Sequence, residues 1–329
     1  MAIALTTPAY RVFQRDYITG NGTITVTGTG ATPGALVEAR WKAGAYVPMT
    51  VENDGTFTGT ITGASGQGDL EIRQNGGAVA STVNYVGIGT IVIGTGASNM
   101  SGRGDNNQSY SHATLKACTF SNRYLWTEMV DPTDNYGLQV DTVSRDDLPT
   151  AAGSWIPHLA THFMAEYGYP LAYVPCAMGG SQVENWTDVG VNRSTLFGSM
   201  AYRMQQVGGA ELVMFMTNGA DVSSYNTSFD ILASNISTYG CDNIMQISGT
   251  RSSGYTPAKR QTIWKAQKIL GDTVTNIVPG PSLKALYADD NLHMMTDDKL
   301  AFAGRKIFNA IKAWKDVREG LSTNRQQVT

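Results

Sequence analysis

Five short apolar runs set the strongest limit on how this chain can fold. They lie at Thr90–Ile93, Leu171–Cys176, Leu212–Met216, Ile244–Ile247 and Thr275–Val278. Between them come stretches with helical spacing, from about Ile156 to Tyr167, Leu196 to Val207, Phe229 to Tyr239 and Lys259 to Leu270. A last helix is expected from near Thr296, with Asp297 and Asp298 in its first turn, where the helix dipole favours negative charge. Its apolar positions Leu300, Ile307, Ile311 and Trp314 form one stripe, with Gly304 in line. Buried strands alternating with helices imply an α/β fold around a parallel sheet. In such sheets the sites lie beyond the carboxyl ends of the strands.

The first part of the chain has a different texture. Thr23–Thr27 alternates with period two, Leu36–Trp41 more loosely. Thr56–Ile61 follows the turn Asn53-Asp54-Gly55, and Leu70–Arg73 precedes the turn Asn75-Gly76-Gly77. Strands without helices predict a small all-β sandwich domain. The expected division is therefore an accessory β domain over residues 1–86 and an α/β domain over 87–329.

Bulk properties exclude several classes. A net charge of −3 over 329 residues gives no electrostatic case for nucleic acid or an anionic membrane as partner. No run approaches the ~20 apolar residues of a membrane helix. The start, Met1 to Pro8, lacks the basic and apolar regions of a secretory signal, which points to a cytoplasmic or virion-associated protein such as a phage tail component. The cysteines, Cys118, Cys176 and Cys241, are odd in number and read as reduced buried thiols. Assembly into a homo-oligomer or a virion stays open.

Four blocks at the expected strand ends carry chemistry. The first strand breaks into Gly96-Ala97-Ser98-Asn99-Met100, which places a serine, flanked by glycine, where a nucleophile would sit. Cys176-Ala177-Met178-Gly179-Gly180-Ser181 offers bare backbone N–H groups to an oxyanion. Met216-Thr217-Asn218-Gly219-Ala220-Asp221 offers the Asn218 amide. In Asp290-Asn291-Leu292-His293 the acid stands three residues before the histidine, so that it can accept from Nδ1 and leave Nε2 to take a serine proton.

Three competing readings are weaker. Gly94-x-Gly96 lacks the third glycine of a dinucleotide loop, since Asn99 stands there. His158 and His162 have zinc-ligand spacing but lack the acid of H-E-x-x-H, and read as a helix face or core. The α/β-hydrolase G-x-S-x-G fails at Met100.

The blocks, in the order Ser, Gly, Asn, Asp-x-x-His, make the chain resemble the SGNH (GDSL-like) hydrolase superfamily. Within it the chain is most similar to the sialate O-acetylesterase-like and acetylxylan-esterase-like carbohydrate esterases. That branch shows G-Q-S-N-M, G-G-[ST] followed by Trp, Q-G-E-x-D and D-x-x-H. Here these read Gly96–Met100, Gly179-Gly180-Ser181 with Trp186, Asn218–Asp221, and Asp290 with His293. The family Gln is Ala97, and the third block is one residue shorter and lacks its Glu.

The resemblance implies a flavodoxin-like three-layer α/β/α domain over 87–329 that is a serine esterase removing acetyl groups from a glycan, with residues 1–86 as a glycan-binding or mounting domain. Ser98 would be the nucleophile, His293 the base and Asp290 the orienting acid. The Ser98, Gly179 and Gly180 N–H groups with the Asn218 amide would form the oxyanion hole, and no cofactor is required. A second expectation, from the Gly/Thr-rich β region, is a non-catalytic glycan-binding or structural phage tail protein on a degenerate esterase fold.

Overall fold

The computed structural model describes residues 2–134, 140–141, 143, 152–217, 224–250, 256–258, 260–262, 264–266, 276–286, 288–290 and 292–320. Its first eight strands are β1 (Ala4–Leu5), β2 (Val12–Gln14), β3 (Asn21–Thr29), β4 (Val37–Trp41), β5 (Val47–Val51), β6 (Phe57–Ala64), β7 (Gly66–Gln74) and β8 (Val79–Gly96). The alternation seen in the sequence is the burial pattern. Ile24 and Val26 of β3, Val37 and Ala39 of β4, and Leu70 and Ile72 of β7 point into one apolar core.

β8 is the organising element. It runs for 18 residues, so the division expected at residues 86/87 falls inside a single strand. Its first part pairs antiparallel with β7, and an extra residue on β8 opposite Gly68–Leu70 makes a bulge at Asn84–Tyr85, where Tyr85 has φ +58°. Past the bulge β8 is buried throughout, and β2 pairs with it at Gly87–Gly89. From Thr90 onward its neighbours are β11 (Leu171–Pro175) and β12 (Leu212–Thr217), both parallel.

β9 (Cys118–Phe120) extends this sheet beyond β11, and β10 (Trp126–Glu128) follows antiparallel. β13 (Ile244–Ser248) and β14 (Ile277–Ser282) extend it beyond β12. The chain builds one side of β8, then crosses to the other, which makes the carboxyl end of β8 a topological switch point.

The helices are α1 (Ser98–Ser101), α2 (Ile156–Tyr167), α3 (Leu196–Val207), α4 (Tyr225–Ser237) and α5 (Asp297–Arg318). Ile91 and Ile93 share an apolar cluster with Phe197 of α3 and Phe229 of α4. Val92, pointing the other way, shares a second cluster with Phe163 of α2 and Ile307 of α5. Where α5 crosses α2, a Cβ on Gly304 would stand 2.8 Å from the Trp155 carbonyl oxygen and 2.6 Å from the His158 Cβ, so only glycine permits the crossing. Of the helix expected over Lys259–Leu270, residues 260–262 and 264–266 are helical, and both named ends lie outside the described residues. So does Thr275, and the last strand begins at Ile277 and reaches Ser282. Among the described residues no helix is long and apolar enough to cross a membrane.

At the amino end of the parallel sheet lies a buried ionic network. Lys315 of α5 pairs with Glu211 at 2.6 Å, and the two side chains are 1% and 2% exposed. Glu211 also accepts from Thr90 Oγ1 at 2.6 Å and Gln14 Nε2 at 3.3 Å, while Gln14 Oε1 accepts the Ile91 N–H at 2.8 Å. The network thus joins β2, β8, β12 and α5, and couples the N-terminal strands to the parallel sheet. Lys315→Met is expected to cost about 3 kcal/mol of stability, because it takes the nearer cation from a buried carboxylate and leaves it Arg318, whose Nη1 stands 3.7 Å from Glu211 Oε1. Adding Glu211→Gln, which keeps an acceptor for Thr90, should recover most of the loss in equilibrium denaturant unfolding.

Candidate active site

β8 ends at Gly96, whose φ is +113° and whose Cβ, if present, would sit 2.2 Å from the Met216 carbonyl oxygen. The backbone can make this turn only as glycine. It is held by the Ala97 N–H on Met216 O at 2.8 Å and by Gly96 O, which accepts from Met178 N at 2.9 Å and Ser181 Oγ at 2.9 Å. β8, β11 and β12 thereby fix the point where Ser98 begins α1. A residue in the first turn of a helix has no intrahelical partner for its N–H.

His293 reaches Ser98 from a loop between β14 and α5. Its Nε2 lies 2.9 Å from Ser98 Oγ, and its Nδ1 lies 2.7 Å from Asp290 Oδ2. Asp290 Oδ1 also accepts the backbone N–H groups of Leu292 at 3.0 Å and His293 at 2.7 Å. Burial raises the Asp290 carboxyl, but the hydrogen bonds from the His293 ring and from these two N–H groups outweigh it and hold it at about 2. Nδ1–H donation to the carboxylate leaves Nε2 to accept from the serine hydroxyl. The neighbouring acid is occupied elsewhere. Asp289 pairs with Lys299 and accepts the N–H groups of Met295 at 2.7 Å and Thr296 at 3.3 Å, which ties the loop to the start of α5.

Of the other expected site residues, Gly179 and Gly180 lie in the turn after β11, beside the segment bonded to Gly96. Asn218 to Asp221 lie outside the described residues.

Sequence reasoning missed a further residue. Asn99 is buried; its Oδ1 accepts the Met294 N–H at 3.0 Å and its Nδ2 donates to Leu292 O at 3.2 Å. It grips the backbone on both sides of His293. Its own carbonyl accepts the indole N–H of buried Trp155 at 3.0 Å. Its place beside Ser98 was the available signal, but its partners lie almost two hundred residues away. Asn99→Ala is expected to lower kcat/KM by roughly 10²-fold through misplacement of the imidazole, with a small fall in Tm. Asn99→Asp, which still accepts from Met294, should fall between the two in a steady-state assay.

The residues set aside on sequence have ordinary roles. His158 Nε2 lies 2.9 Å from Gln108 Oε1, and His162 stacks on Phe308. Among the described residues no group of three His, Cys, Asp or Glu side chains is placed to hold a metal ion. All three cysteines are free and buried, and burial pushes their thiols up, Cys176 and Cys241 to about 12, which leaves them poor nucleophiles.

Beside the turn after β11 opens a cavity of about 550 Å³, with Met178, Gly179, Gly180, Ser181 and Glu184 in its wall. A 3₁₀ turn over Val183–Trp186 builds that wall, and its Trp186 indole donates to Ser181 Oγ at 3.3 Å.

Among solved structures, the chain is similar to a carbohydrate acetylesterase from Xanthomonas citri, with TM-score 0.60 and 14% identity over 98% of this chain and 76% of that one. It is also similar to a protein from Arabidopsis thaliana, with TM-score 0.52 and 22% identity over 68% of this chain and 97% of that one. At these identities the likeness speaks for the α/β fold with its large sheet. No curated protein sequence matches the chain. The family model of the carbohydrate esterases described as sialic acid-specific acetylesterases matches residues 89–312, from the middle of β8 to within α5. With that match covering most of the sequence, the chain belongs to the sialic acid-specific acetylesterase family of carbohydrate esterases and is a carboxylic ester hydrolase.

Proposed function

We propose that this chain is a serine esterase that removes acetyl groups from a carbohydrate through an acyl-enzyme. The observation that carries the reading is the hydrogen-bonded series Ser98–His293–Asp290 at the carboxyl end of β8. The family supports the acetyl group, and the similar structure from Xanthomonas citri is itself a carbohydrate acetylesterase. We read the helices packed against both faces of the parallel sheet as the flavodoxin-like three-layer arrangement, and residues 1–86 as a small all-β sandwich sharing β8 with it.

The hydrogen-bonded series supports the following mechanism. Ser98 Oγ attacks the ester carbonyl carbon while His293 Nε2 takes the hydroxyl proton. Asp290 holds the ring and stabilises the imidazolium. The negative oxygen of the tetrahedral intermediate is received by the backbone N–H groups of Ser98 and of Gly179 or Gly180, with the Asn218 amide as a further donor. Collapse expels the sugar oxygen, which takes the proton from Nε2. Water, deprotonated by His293, then attacks the acetyl-Ser98 carbonyl and releases acetate. Ala97 stands where the family has Gln, so no side-chain amide is supplied at that position.

The test is rapid acid quench during turnover of p-nitrophenyl acetate, followed by peptide mass spectrometry. Acetylation of the peptide that carries Ser98 is expected. Turnover with no acylated serine in that peptide would remove Ser98 as nucleophile.

A further inference from the structure

The cavity beside Gly179 and Gly180 is well sized for a ligand: about 550 Å³, within the ~300–1,000 Å³ of small-molecule sites. Met178 and Ser181 in its wall bond directly to Gly96, two residues before Ser98. The cavity therefore adjoins the turn that carries Ser98. Met178 and Leu196 supply apolar wall, which suits the C–H face of a sugar ring. The charged residues of the described lining are Glu184 and Asp188, and none of the described lining residues is basic. Arg193, two residues before the lining residue Thr195, is tied to Asp141 at 2.6 Å.

Glu184 gives the second observation. Its Oε1 accepts from Ser224 Oγ at 2.6 Å. Its Oε2 is buried and has no hydrogen-bond partner among the described residues. A buried acceptor left without a donor is costly, and a ligand hydroxyl would relieve it.

Building on the esterase reading above, we infer that this cavity is the sugar subsite, that Glu184 accepts a hydroxyl of the bound sugar, and that the site selects neutral O-acetylated sugars. The family's name includes sialic acid, yet a sugar carboxylate brought into this cavity would face Glu184 and Asp188 with like charge.

The experiment compares three esters on the full chain: p-nitrophenyl acetate, a mono-O-acetylated methyl glucoside, and O-acetylated N-acetylneuraminic acid. The wild type should prefer the neutral glucoside to the anionic sugar by about 10²-fold in kcat/KM, the scale of like charges facing each other in a partly exposed site. Glu184→Ala should raise KM for the glucoside, lowering its kcat/KM about tenfold more than that for p-nitrophenyl acetate, because the lost contact is to a sugar hydroxyl. Asp188→Lys, at an exposed position that folding does not depend on, should narrow the preference between the two sugars. Equal or better turnover of the anionic sugar by the wild type overturns the subsite and leaves the serine esterase standing. So does an Asp188→Lys variant with an unchanged preference. Failure to hydrolyse p-nitrophenyl acetate at all overturns the esterase reading, and this inference with it.

Discussion

Ser98→Ala is expected to lower kcat for p-nitrophenyl acetate by roughly 10³-fold or more, because loss of one member of a serine–histidine–acid relay removes the whole covalent route. The change deletes one hydroxyl whose hydrogen bond runs to His293. The backbone around it is held by other groups: Ser98 O still accepts from Gly102 N at 3.1 Å, and Ala97 N still donates to Met216 O. Tm should therefore stay within the range of ordinary surface substitutions. Rate above the uncatalysed background should survive weakly, since the change leaves the proposed oxyanion donors and sugar cavity untouched. Ser181→Ala is the instructive contrast. That hydroxyl donates to Gly96 O and accepts from Trp186, so its loss should lower Tm as well as rate. A folded Ser98→Ala protein with near wild-type turnover would end the nucleophile assignment.

The two ends of the hydrogen-bonded series Ser98–His293–Asp290 were legible because each is marked by a local pattern. Acid and histidine stand three residues apart on one turn, and the serine immediately follows an apolar strand. The parallel strands and α2 and α3 were legible for a related reason, since their apolar positions repeat at the period of the element they form.

What escaped the sequence depends on distant partners. The first residues of β8, Val79–Val83, are partly or fully exposed, so no alternation announced a strand continuous with the buried run after Tyr85. β14 ends in Pro279-Gly280-Pro281-Ser282, a composition that reads as a loop; it is allowed because β14 pairs only with β13 among the described strands. Asn99 looks like one more polar loop residue until its bonds to Leu292 and Met294 are seen. Glu184 was unremarkable in sequence, because a cavity is a property of how β11, α3 and the 3₁₀ turn meet.

Asp290→Asn separates an orienting acid from a turn residue. The amide keeps an oxygen for the Leu292 and His293 N–H groups, so the loop should hold. It loses the charge opposite Nδ1 and can instead donate to that nitrogen, which fixes the wrong tautomer. The rate plateau should fall by roughly 10²- to 10⁴-fold. Without the carboxylate the imidazolium formed during each proton transfer is less stabilised, which adds to the fall in the plateau. The carboxyl itself titrates at about 2, below its ordinary value of 3.8, so it stays ionised across an assay from about pH 5 to 9. Its lowered value has a second consequence. A carboxyl more acidic in the folded than in the unfolded chain contributes stability above its ordinary value and loses it as pH falls toward the folded value. Acid unfolding of the wild type should therefore steepen between about pH 4 and about 2. The variant should lack that component, modest in size because the Asp290 side chain is 42% exposed and screened by solvent. A residue serving only the turn would leave the plateau where it is, and kcat/KM of the two proteins from about pH 5 to 9 decides between the roles.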